Sequence, residues 1–224
     1  MKLMKKYTFF AIWIVLLLLV PVTILRITPL AAGVRNPGAL FDFLQRFLGL
    51  ILFTFLFVQV ALVIFMDRLT KKLGGWIFGF YIAEEILIFA LVFLHPLMFM
   101  MVNHFAAGGW DPYTVITNAC FLCKTPREYY YSLGIVSLWA YAFAIFAVLL
   151  GYIDGWFKKN WRKLHALNYV VFLLMGIHAF FLGLDFKVQP FFSFAILAYV
   201  FIAGRAIFVE IPGLYKNFRN WIKN

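Results

Sequence analysis

The sequence is poor in charge. Only 13% of its 224 residues are Asp, Glu, Lys or Arg, while 65% are hydrophobic and 21% are aromatic. A water-soluble body of 26.0 kDa needs a polar surface, and 20 basic with 9 acidic side chains are too few to cover one. Cysteine is scarcer still, and two residues exclude a disulfide-dense secreted scaffold. No Gly-rich dinucleotide fingerprint follows a strand-like segment, and neither an internal repeat nor a low-complexity linker stands out. What the chain has in abundance is apolar length.

Six apolar stretches are long enough to cross a bilayer core, which takes about 20 helical residues: Tyr7 to Leu25, Phe47 to Met66, Ile77 to Met101, Tyr130 to Ile153, His165 to Leu184 and Val188 to Val209. They are too long for barrel strands, and backbone groups in lipid must be satisfied within the segment. The expected fold is an all-α, integral membrane six-helix bundle forming a single domain over residues 1–224. The first stretch follows Lys2, Lys5 and Lys6 but lacks a small-residue cleavage site, so it reads as a retained helix rather than a signal peptide.

The net charge of +11 would suit nucleic acid only on a soluble body with a basic face. Here the basic residues fall between apolar runs and report topology, so membrane lipid is the expected surrounding and no nucleic-acid partner is expected. With the N-terminus inside, 13 Lys and Arg fall on the inner side and 6 on the outer, leaving Arg205 within the last span. Both termini are therefore expected in the cytoplasm, with the Val102 to Tyr129 connection and its Cys120 and Cys123 outside.

Ionisable groups within spans are costly and mark sites by default; here they are Glu84, Glu85, His95, His165, His178 and Arg205. His95 and His178 each lie six residues before the outer end of a span running in the same direction, about 9 Å below that boundary. Two imidazoles at one depth suit axial ligation of a heme iron, and equally suit two core histidines satisfied by neighbours. The phenylalanines and Gly176 would give a macrocycle its apolar wall and room. His165, 13 residues before His178, lies about 20 Å deeper and about 140° round the helix. Tyr81 and Glu84, 14 and 11 residues before His95, project near the His95 face. An inner site of His165, Tyr81 and Glu84 would take a quinone, a flavin or a differently ligated heme. Arg205 reads as a snorkelling cation or a partner of a heme propionate, and Arg46 and Trp110 as contacts of propionates or lipid headgroups. His104, nine residues after His95, reads as a solvated loop histidine.

The run WRKLHALNYVVFLLMGIHAFFLG from Trp161 to Gly183, with FLHPLMF around His95 and Pro96, resembles the ferric reductase-like transmembrane domain superfamily. That superfamily includes NADPH oxidase cores, six-transmembrane metalloreductases and the heme-binding membrane subunit of the methionine sulfoxide reductase system. QRFLGL from Gln45, FVQVAL around Gln59 and REYYYSLGIVSLW from Arg127 add to the likeness, which spans about Gln45 to Gly183. The resemblance implies a b-type heme held by His95 and His178. It also implies a bacterial inner-membrane location and electron transfer to an acceptor outside. Relatives often carry an inner histidine where this chain has Tyr81, so one heme is the expectation, with a second left open. Many relatives also continue into a flavin and nicotinamide module, whereas this chain runs 15 residues past Val209. The implied donor is a separate cytosolic reductase or quinol.

Two readings from other classes remain. Cys120 and Cys123 form a C-x-x-C, a spacing that supports dithiol exchange, here linked to quinone, or that closes an inert short disulfide. Zinc would need four ligands, with only His104 and Asp111 nearby. The third reading is a non-catalytic membrane scaffold.

Overall fold

A computed structural model describes residues 2–110, 112–150, 153–157, 159–160, 167–210 and 213. The described residues are helical, with no strand among them: α1 (Lys2–Ile27), α2 (Leu30–Gly33), α3 (Pro37–Leu73), α4 (Trp76–Ala107), α5 (Pro112–Thr117), α6 (Pro126–Leu150), α7 (Leu167–Leu182) and α8 (Phe191–Arg205). A 3-10 turn at Asp185–Lys187 precedes α8, and a π-helical segment at Ala206–Glu210 continues it.

Five helices are long and apolar enough to cross a membrane: Lys6–Ile27, Pro37–Leu73, Trp76–Ala107, Pro126–Ala147 and Phe191–Val209. The remaining expected span corresponds to α7, whose described part is a mostly apolar helix of 16 residues, about 24 Å long. Its expected start at His165 lies outside the described residues, as do most of the basic groups that precede it.

Local chemistry sets the helix ends. Asn36 caps α3 by accepting the Ala39 N–H at 2.8 Å, and Pro37 at the first helical position has no N–H to lose. The helix stops at Gly74, whose φ of 100° ends the helical path while its N–H still bonds the Thr70 carbonyl. At 37 residues α3 reaches about 55 Å, well past a hydrocarbon core of about 30 Å. Its first turns carry Asp42, Gln45 and Arg46, which the hydrophobic pattern places before the span.

α3 is the central helix. More than half of its apolar window, 56%, is buried, against 17% for α1 and for α4. Phe53 is fully buried at its middle, with ring centroids 4.9 Å from Phe172 of α7 and from Phe186, and 5.9 Å from Phe191 of α8. The outward faces of α1, α4, α6 and α8 expose Ile12, Ile86, Phe146, Leu197 and Val200, an apolar exterior fit for lipid.

The helices pack as two antiparallel hairpins. α3 runs along α4 and α6 along α7, with α1 laid on α3 and α8 against α7. Between the hairpins α4 is joined to α6 through side chains: Tyr141 Oη donates to Glu85 Oε1 at 3.0 Å, and the Phe99 and Tyr131 rings meet at 5.6 Å. α3 also packs on α7. The histidines fall in the level between those two side-chain contacts.

Candidate functional site

His95 stands on α4 directly before Pro96, which has no N–H to give the Val92 carbonyl. Its ring lies flat against α3 at Gly49, where an added Cβ would come within 3.0 Å of His95 Cε1. One turn earlier on α3, the Gln45 carbonyl is 3.0 Å from His95 Nδ1. His178 on α7 repeats the arrangement against α6. A Cβ at Gly134 would sit 2.6 Å from His178 Cε1 and Nδ1, and the Tyr130 carbonyl is 2.8 Å from Nδ1.

A carbonyl oxygen can only accept, so Nδ1 carries the proton in both rings and Nε2 keeps its lone pair. Among the described residues, neither Nε2 is given to a hydrogen bond. Both rings are half-buried in the bundle. A ring fixed through Nδ1–H to a carbonyl, with Nε2 presented, is the form in which histidine binds a metal.

The two hairpins thus carry one device twice: a carbonyl, a Leu-Gly pair three and four residues later, and a histidine about fifty residues beyond. The signal was in the sequence as Gln45-Arg46-Phe47-Leu48-Gly49 and Tyr130-Tyr131-Ser132-Leu133-Gly134. The sequence shows no repeat by length or composition because only the Leu-Gly pair recurs.

An ion pair ties the hairpins at the end nearer the histidines. Arg46 Nε and Nη2 donate to the two Asp185 oxygens at 2.5 and 2.6 Å, and Nη1 donates to Asp42 at 3.2 Å. The Asp185 side chain is only 3% exposed. Arg46 was expected at propionates or lipid headgroups; its guanidinium is instead committed to Asp185, one residue from Gln45 on one side and seven past His178 on the other. Gly176 likewise serves a different neighbour, since a Cβ there would meet the Tyr199 ring of α8 at 2.6 Å.

At the inner level Glu84 and Tyr81 share a stretch of α4 but turn toward α1 and α3. Glu84 Oε1 accepts from Trp13 Nε1 at 2.8 Å and Oε2 from Gln59 Nε2 at 3.0 Å; Gln59 Nε2 also reaches the Tyr81 carbonyl at 2.9 Å. Tyr81 packs with Val58, Leu62 and Ile77, its ring 6.2 Å from Phe78. Their angular match to His95 is real, and its consequence is contact with α3, the helix His95 also faces. Glu85, one residue on, is the carboxyl that meets α6. His165 lies outside the described residues. Arg205 sits half-buried in the last turn of α8, about 21 Å along that helix from its outer end and far from the histidine level.

In the loop before α6, Cys120 and Cys123 are joined in a disulfide. His104 belongs to the last turn of α4 rather than to a loop, edge-on to Trp110 at 5.8 Å and to Phe105 at 5.3 Å. No family model, curated protein or solved structure matches the chain.

Proposed function

We propose that the protein is a transmembrane electron carrier in which His95 and His178 hold the iron of one b-type heme. The observation that carries this reading is the pair of imidazoles anchored through Nδ1–H at one level of the bundle, each with Nε2 presented and each resting on a glycine. When bound, heme supplies reversible one-electron chemistry between two iron states. The chain contributes the rest. The Gln45 and Tyr130 carbonyls fix the ring orientation and raise the donor strength of Nε2. Gly49 and Gly134 let each ring sink against its neighbouring helix, and Arg46 with Asp185 holds the second hairpin against α3. The apolar surroundings keep water from the site.

In this reading the chain lies in a bacterial inner membrane with both termini cytoplasmic. Electrons come from a separate cytosolic reductase or quinol and leave to an acceptor outside. A quinone or flavin among His165, Tyr81 and Glu84 is not required, because both Glu84 oxygens are already bonded. Oxidised and dithionite-reduced spectra of the detergent-purified protein, with a pyridine hemochrome count, test the proposal beside His178→Ala. A low-spin b-type spectrum at about one heme per chain, lost in the variant, is expected. Protein that stays colourless after expression with added heme overturns the reading and leaves the scaffold.

A further inference from the structure

The outer end of α6 carries a second group of reactive side chains that the histidines do not use. The Cys120–Cys123 bond lies in the loop just before that helix. Ser132, on its second turn and 6% exposed, reaches back to it. Ser132 Oγ is 3.2 Å from Cys120 Sγ and 3.9 Å from Cys123 Sγ, and it accepts the Cys120 N–H at 2.9 Å. A carboxylate oxygen of Glu128 lies within 4.8 Å of both sulfurs. Between the cysteines, Phe121 and Leu122 stand 87% and 94% exposed.

The bond does little for the fold. A disulfide stabilises mainly by closing a long loop in the unfolded chain, and this one spans a sequence separation of 3. Both cysteines are half-buried rather than sealed in the core. A thiolate formed here would meet the Ser132 hydroxyl and the positive end of the α6 dipole, both of which favour it. Glu128 is placed to take and return the proton. Finally, Ser132 shares a turn of α6 with Tyr130, whose carbonyl holds His178, and with Gly134, on which that ring rests.

We infer that Cys120 and Cys123, with Glu128 and Ser132, form a dithiol–disulfide exchange site whose substrate is a disulfide-bearing polypeptide on the outer side. The inference rests on the proposed function for the source of its electrons. In the dithiol form one thiol passes its proton to Glu128, and the thiolate attacks a substrate sulfur. The substrate S–S bond breaks, a mixed disulfide forms, and the leaving sulfur takes a proton from Glu128. The second cysteine, losing its proton, attacks the first. The intramolecular bond closes, and the remaining substrate sulfur leaves and is protonated. Two electrons have then passed to the substrate, which holds two S–H groups. Reopening the bond takes two electrons, which the carrier proposed at His95 and His178 would supply one at a time, and two protons from water. Phe121 and Leu122 provide the apolar ground on which a substrate segment rests.

The test incubates the detergent-purified full chain in mixtures of reduced and oxidised glutathione and traps thiols with a maleimide polymer, two labels shifting the band twice. Absorption spectra are recorded on the same samples. Two thiols are expected to appear together. Opening should slow about tenfold in Glu128→Gln and several-fold in Ser132→Ala, with spectra unchanged. A bond that stays closed in every mixture, or that opens as fast in both variants as in the parent, overturns the inference. A coloured protein with an inert bond sinks this inference alone, whereas a colourless protein that still exchanges sinks the heme reading and removes the electron source assigned here.

Discussion

Replacing Gly134 by alanine puts a methyl carbon 2.6 Å from His178 Cε1 and Nδ1, where carbon atoms rest at about 3.5 to 4.0 Å. The neighbour is a ring packed in the bundle, so it must move by about 1 Å. A shift of that size stretches the 2.8 Å bond from Nδ1 to the Tyr130 carbonyl beyond hydrogen-bond range. Overpacking costs about 1–3 kcal/mol and the lost bond about 1 kcal/mol, so the apo protein should lose about 2–4 kcal/mol. Losing an outer-shell anchor of a ligating histidine lowers affinity by roughly 10- to 100-fold. Gly49→Ala is the internal control: its Cβ would stand 3.0 Å from a single His95 atom, so the ring yields by a few tenths of an ångström and the losses are smaller. Thermal unfolding in detergent reads the first effect and heme titration of apo protein the second. The reasoning is refuted if Gly134→Ala matches the parent in both, or if Gly49→Ala is the more damaging change.

Two further outcomes follow from the buried polar pairs. Arg46→Ala leaves Asp185 unpaired in a site where its side chain is 3% exposed, which should cost about 3–5 kcal/mol. Replacing both partners by apolar residues of similar volume should cost less than that single change, as denaturation midpoints in detergent will show. Glu84→Ala removes the acceptor of Trp13 and Gln59 together and should destabilise the packing of α4 against α1 and α3 by about 2–4 kcal/mol. In that variant Trp fluorescence should change while His95 and His178 keep their spectroscopic signature; loss of the signature would place Glu84 at the histidine site.

Five of the six expected spans were legible because a bilayer sets a length, and a run of apolar residues either meets it or does not. The expected common depth of His95 and His178 came from the same ruler, since helix rise is constant. What the sequence hid was direction. Glu84 falls on the His95 face by angle, but angle alone does not say that this face belongs to α3. Its neighbour Glu85 therefore turned out to be the carboxyl that meets α6. Arg46 and Asp185 are 139 residues apart, and their pairing follows from tertiary packing that no local pattern encodes. Gly176 was read as room for a cofactor, yet Tyr199 of α8 fills that space. The extension of α3 out to Pro37 was obscured by the polar groups that its first turns spend on neighbours.

Each histidine is latched to a helix of its own hairpin, and the hairpins do not interleave in sequence: one occupies Pro37–Ala107 and the other begins at Pro126. During synthesis the first half can enter the membrane and set its imidazole before the second half exists. Assembly is then the closing of a seam between two finished pieces, with the Arg46–Asp185 ion pair toward one end and the Tyr141–Glu85 bond toward the other. Anything gripped by both rings is a rivet across that seam as well as a cargo, and its loss loosens the joint while leaving each piece intact.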